Sequence, residues 1–266
     1  ESAVEDIIAG LAASQYPETT LRRYVDALIL IGPDAISSLA NALSHTSPQV
    51  RSGAVLTLGT SGKSAGHLVP KIITLLDDDD AFVRASAAEA LGKLGPAARA
   101  AAPILAGKLN DKVSRVRAAA VDGLGKTAGD DVTYAALFAS ALNADEASVR
   151  IAATRVLSKL PAIATAAAEN LVAALVDEDE HVRAGAARAL GVAGKDIASS
   201  VPALVQQLRD PVDEVRVEIV RALGAIGETT PGVFAELGAA IAGPSLKVRR
   251  QGVLTLRGLG SDAMPA

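Results

Sequence analysis

Residues 83–92 read VRASAAEALG, and residues 182–191 read VRAGAARALG. Both copies open on Val-Arg, hold Ala at the fifth place and close on Leu-Gly. Working outward from them, the Val-Arg pair recurs at Val50-Arg51, Val83-Arg84, Val116-Arg117, Val149-Arg150, Val182-Arg183, Val215-Arg216 and Val248-Arg249. Each pair lies 33 residues beyond the one before, without a slip. A fixed period of this size marks an array of stacked supersecondary units.

Other residues keep the same register. Four places after each Val stand Ala54, Ala87, Ala120, Ala153, Ala186, Ile219 and Gly252, and eight places after stand Leu58, Leu91, Leu124, Leu157, Leu190, Leu223 and Leu256. Spacing 0, 4, 8 is one face of an α-helix, here called helix B. Upstream, apolar pairs four apart define helix A: Leu39/Leu43, Ile72/Leu76, Leu105/Leu109, Phe138/Leu142, Leu171/Leu175, Leu204/Leu208 and Leu237/Ile241. Both helices are short and one-sided, so each needs its neighbours to bury the stripe.

The punctuation agrees. Gly62, Gly95, Gly194, Gly227 and Gly260 follow their Val by twelve residues, where glycine suits a left-handed C-cap. Ser47, Asp80, Asp179 and Ser245 stand as N-caps of helix B, and Pro48 falls at a first helical position. The start is less regular. Ser2 and Glu5 have capping-box spacing, and Leu21 to Gly32 reads as a shortened helix B.

Composition narrows the function. The 266 residues are half apolar, with no Trp, no Cys, three Tyr and three Phe. Ala, Leu and Val supply most of the apolar content, and they favour closely packed helices. A net charge of −4 runs against a duplex-DNA binder, which carries a basic face, so no nucleic-acid partner is expected. Without cysteine there are no disulfides and no thiolate nucleophile or ligand. No apolar run is long enough for a transmembrane helix, and no signal peptide is visible at the start. The chain begins without Met and reads as a piece of a longer parent, with room for additional domains.

The pattern Val-Arg-x-x-Ala-x-x-x-Leu-Gly resembles the HEAT repeat. It looks most like the bacterial subtype named after the phycobilisome lyases. Asp78, Asp111, Asp177 and Asp210, five before their Val, and Pro70, Pro103 and Pro202, thirteen before, belong to that likeness. His45, Ala144 and Gly243 replace the Asp, and Leu160-Pro161 stands where Leu-Gly is expected. The resemblance implies an all-α, right-handed α-solenoid of about eight helix pairs, roughly 80 Å long at ~10 Å per pair. It implies one array over 1–266, with a divergent repeat at 1–32 and regular repeats at 33–65, 66–98, 99–131, 132–164, 165–197, 198–230 and 231–266. It also implies that each repeat Arg pairs with a loop Asp, within or between repeats, and that the B helices line the concave surface.

Six residues after each Val, pointing away from the core stripe, the row reads Leu56, Glu89, Asp122, Arg155, Arg188, Arg221, Leu254. Acids give way to three arginines spanning about 20 Å at ordinary helix spacing. Arg155, Arg188 and Arg221, extended by Lys126 and Lys159, are therefore the expected contact residues for a protein partner presenting an acidic helix or extended segment. The alternative is a merely solvated face.

No catalytic, cofactor or metal site is expected. His45, His67 and His181 lie in different repeats and cannot converge as ligands. The runs Asp77 to Asp80 and Asp177 to Glu180 lack EF-hand spacing and sit where acids favour a helix N-terminus. The His-Glu pairs of deoxyhypusine hydroxylase-like HEAT proteins are missing, and so are a Trp and the basic balance of HEAT-like DNA glycosylases. The expected function is a non-catalytic protein-binding scaffold. The alternative, from the subtype likeness, is a phycobilin lyase-like or chromophore-handling subunit. The last helix B carries Leu254, Leu256 and Leu259 with no polar repeat after it. Continuation past Ala266, or packing of this end on another molecule, is expected.

Overall fold

The structure, a computed structural model, describes residues 2–13, 18–31, 35–227 and 230–260. These form α-helices linked by short 3-10 turns, with no strand among the described residues. The fold is an all-α solenoid whose hairpins gather into two compact units, Glu1–Gly129 and Asp130–Ala266.

The first unit holds α1 (Ser2–Ala13), α2 (Glu18–Ile31), α3 (Ile36–Ala42), α4 (Pro48–Thr60), α5 (Val69–Thr74), α6 (Ala81–Leu94), α7 (Ala102–Lys108) and α8 (Ser114–Ala128). The B helices α4, α6 and α8 pack in succession, each against its own short A helix α3, α5 or α7. The predicted stripes are the core. Val83, Ala87, Leu91, Val116, Ala120 and Leu124 are completely buried, and so are Ile72 and Leu105 from the A helices. Each such Val or Leu contributes about 1.5–3 kcal/mol of transfer free energy. The α2 helix starts earlier than its apolar pattern indicated, and the Ser2 side chain of the expected capping box lies outside the described residues.

Helix A is a composite. A 3-10 turn, Gly62–Leu68 or Gly95–Ala101, runs into the α-helix, and Pro70 or Pro103 sits in that helix's first turn. Proline lacks the N–H that the first turn leaves unused, so it starts α-geometry there without losing a bond. Helix A changes from 3-10 to α-geometry at this junction.

The second unit holds α9 (Ala135–Ala141), α10 (Ala147–Leu157), α11 (Pro161–Ala166), α12 (Ala168–Ala174), α13 (Glu180–Ala193), α14 (Val201–Gln206), α15 (Asp213–Ile226), α16 (Pro231–Ala242) and α17 (Leu246–Leu259). Its B helices α10, α13, α15 and α17 pack in succession. At the Leu160-Pro161 departure, Pro161 opens α11. The Asp130 carboxylate, from the preceding repeat, accepts from the Ala162 and Ile163 N–H groups at 3.0 Å each. That carboxylate caps the helix.

Local capping follows the sequence with two corrections. The Asp80, Asp179 and Ser245 side chains accept from the first N–H groups of α6, α13 and α17. Ser47 stands at the start of α4 but makes no side-chain cap; its hydroxyl donates to Gln49 Oε1 at 2.8 Å. The turn glycines do have positive φ, and Gly129 joins them. Gly227 (φ 73°, ψ 21°) is left-handed helical, whereas Gly95 (φ 59°, ψ −133°) and Gly194 (φ 69°, ψ −143°) lie in a region essentially closed to other residues.

A second set of glycines is needed for space. A Cβ on Gly59 would lie 2.6 Å from Ala90 Cα, one on Gly123 2.7 Å from the Ala88 carbonyl oxygen, and one on Gly191 3.0 Å from Ala222 Cα. Neighbouring B helices thus meet backbone to backbone. In the last hairpin, Leu246, Val253 and Leu254 of α17 are exposed.

Candidate binding surface

The charged residues divide into two populations. The first is the ladder. Arg51, Arg84, Arg150 and Arg183 each reach 27 residues ahead to the loop carboxylate of the next repeat, Asp78, Asp111, Asp177 and Asp210. Nε and Nη2 form the fork, at 2.8 and 3.0 Å for Arg84–Asp111. Nη1 turns back to carbonyls of its own loop, Asp78 and Asp79 for Arg84. Only a planar guanidinium satisfies acceptors in both directions at fixed angles. The carboxylate is equally committed: Asp111 Oδ1 also accepts from Val113 N–H at 2.9 Å. The resemblance left open whether the pairing runs within or between repeats; these four pairs run between.

Burial pushes the Asp78 and Asp111 carboxyls up. The forks of Arg51 and Arg84, with the backbone N–H groups, outweigh it and hold both below the usual carboxylate range. The hydrogen bonds to Asp78 and Asp111 raise the arginines in turn, against burial. The arrangement is structural and leaves no coordination site; among the described residues no three His, Asp or Glu side chains cluster to hold a metal ion. His45 is used locally, accepting from Ser47 N–H through Nδ1 at 3.0 Å.

The second population is the outward row. In the second unit Arg155, Arg188 and Arg221 are exposed on the successive B helices α10, α13 and α15, and Lys159 is exposed just past the end of α10. A residue that the sequence reading missed organises two of them. Glu218 on α15 is only 7% exposed, yet its carboxylate meets Arg188 Nη2 at 2.9 Å and Arg221 Nη1 at 2.8 Å. The two arginine side chains remain about half exposed, 49% and 52%. A buried acid thus holds two arginine tips side by side in solvent. The clue was available: Glu218 falls three after Val215, where the other helices carry Gly53, Ser86, Ala119, Ala152, Gly185 and Gln251.

In the first unit the row differs. Glu89 is paired with Lys93 at 2.8 Å, and Lys126 is exposed with its stem over Gly92. The basic residues Arg155, Arg188, Arg221 and Lys159 belong to one unit and Lys126 to the other.

The family pattern for HEAT repeats matches residues 36–125, 69–158 and 168–257. The chain belongs to the HEAT-repeat family. None of the curated proteins matches it. Among solved structures, an engineered protein is 23% identical over 72% of this HEAT chain and 96% of its own, with a TM-score of 0.58. The Escherichia coli protein YibA is 20% identical over 93% of this chain and 89% of its own, with a TM-score of 0.62. At those identities the likeness concerns the fold. No described HEAT helix is long and apolar enough to cross a membrane.

Proposed function

We propose that this HEAT protein is a non-catalytic scaffold that seats an acidic helix or extended segment of a protein partner against Arg155, Arg188 and Arg221, with Lys159 at one end. The observation that carries the reading is Glu218. It aligns Arg188 and Arg221 without covering them, so part of the entropy of ordering two long side chains is already spent before a partner arrives. Arginine is also the charged residue most often found at binding hot spots.

The test must respect Glu218. Reversing Arg188 or Arg221 to Glu would set carboxylates against a buried carboxylate and damage the fold. The suitable variant is Arg155→Glu with Arg188→Gln, Arg221→Gln and Glu218→Gln. It is compared with wild type in affinity capture from native lysate, with circular dichroism as the folding control. Loss of an acidic partner at unchanged helicity is expected. Equal recovery of that partner by both proteins would overturn the reading.

A further inference from the structure

At the Arg216 rung of the second unit the loop acid is missing and two of its donors have no acceptor among the described residues, while Asp213 of the same helix takes the third, Arg216 Nη2. Gly243 stands, 27 residues past Arg216, where the four complete rungs have Asp78, Asp111, Asp177 and Asp210. Its backbone is in the rung conformation, φ −67° and ψ 169°, beside −59° and 144° at Asp78 and −53° and 138° at Asp210. A Cβ there would lie 3.3 Å from the Ala240 carbonyl oxygen, so a side chain at 243 requires that carbonyl to give by a few tenths of an ångström.

Arg216, the arginine of this rung, donates Nη1 to the Asp210 carbonyl and Nη2 to Asp213, and its Nε has no acceptor among the described residues. The second donor of every complete rung is a backbone N–H two residues past the Asp: those of Asp80, Val113, Asp179 and Val212 bond it at 2.8–3.0 Å. Ser245 N–H occupies that place here, and it too has no acceptor among the described residues. Arg216, Gly243 and Ser245, with Arg209, Glu236 and Val248, line a cavity of about 390 Å³.

We propose that this cavity binds an external carboxylate in the position that Asp side chains fill in the four complete rungs. Arg216 Nε and Ser245 N–H are the donors, Arg209 adds positive charge, and the Ala239–Ala240 side offers apolar surface to the group that carries the acid. Asp213, which holds Arg216 Nη2 and accepts from the Ser245 hydroxyl at 2.6 Å, and Glu236 oppose the ligand's charge. The acid arrives either as a small carboxylate or as an acidic side chain of a peptide. This site is separate from the Arg155, Arg188 and Arg221 row, and it stands or falls independently.

Nitrogen-15 NMR titration tests it, with acetate, with acetyl-Ala-Asp-Ala-amide, and with chloride and acetyl-Ala-Asn-Ala-amide as controls. Saturable shifts of the Ser245 amide and the Arg216 Nε–H signals are expected with the two carboxylates only. Earlier saturation by the peptide assigns a peptide ligand; earlier or equal saturation by acetate assigns a small acid. Arg216→Lys should weaken binding about tenfold, by losing the directed Nε donor, and Glu236→Gln should tighten it. Gly243→Asp supplies the acid internally, so it should abolish the response and raise the melting temperature. The site is refuted if neither carboxylate moves the two signals. It is equally refuted if Gly243→Asp titrates like wild type or melts no higher.

Discussion

Asp111 works for two repeats at once: it receives the Arg84 fork from the preceding helix and turns its own loop through Val113 N–H. Both partners are about 7% exposed, so neither can fall back on water. Arg84→Ala leaves a buried carboxylate and should cost about 3–5 kcal/mol. Arg84→Lys keeps the charge but not the fork and should cost about 1–3 kcal/mol. Lys93→Ala, at an exposed pair within one helix, should cost no more than about 0.5 kcal/mol. Urea denaturation of the three variants would establish the order, and equal losses would refute it. These rungs were readable because each needs a fixed residue at a fixed place in every period. Glu218 was not readable in that way. It appears in one repeat, and only packing shows that its carboxylate lies beneath Arg188 and Arg221.

At the scale of the helix, spacing decides more than propensity. Gly59 and Gly123 lie inside helices, where glycine costs about 1 kcal/mol relative to alanine. That cost is accepted because the next helix occupies the place of a Cβ. Gly59→Ala and Gly123→Ala should therefore destabilise by about 1–3 kcal/mol through overpacking. Gly107→Ala, in α7 with nothing within 4 Å of the added carbon, should stabilise by about 0.5–1 kcal/mol. Thermal unfolding of the three proteins checks the opposite signs. The helix stripes were legible from period alone, since Val83, Ala87 and Leu91 are buried as their spacing requires. What period cannot show is why a glycine recurs: Gly59 makes room for a backbone, while Gly95 turns a corner, and both look alike in a string of letters. The same limit explains Ser47, whose position is that of a cap but whose hydroxyl has a nearer acceptor in Gln49.

For the whole molecule, acid is the informative stress. Asp78 and Asp111 have depressed folded-state pKa values. Such carboxyls stabilise the native chain above the ordinary carboxylate value of about 4, and that stabilisation disappears as pH falls through the depressed values. The melting temperature should thus decline steeply once pH drops below about 4. The double variant Asp78→Asn, Asp111→Asn should melt lower at pH 7 and show a shallower decline. A slope unchanged from wild type would show that other groups carry the acid sensitivity. The fold class was legible at this scale, because a helical array writes each local contact once per period. The candidate surface was legible only as a row of charges, since exposure and pairing depend on neighbours 30 residues away.

The forked rung has one more consequence. Each joins an arginine to an acid 27 residues ahead, so a whole copy of the period that carries both the Asp and the Arg, spliced between two others that do, finds a matching donor behind it and a matching acceptor in front. Such a protein can grow or shrink by recombination in units of one hairpin, while the loss or gain of a single residue would break the chain of handshakes at that point.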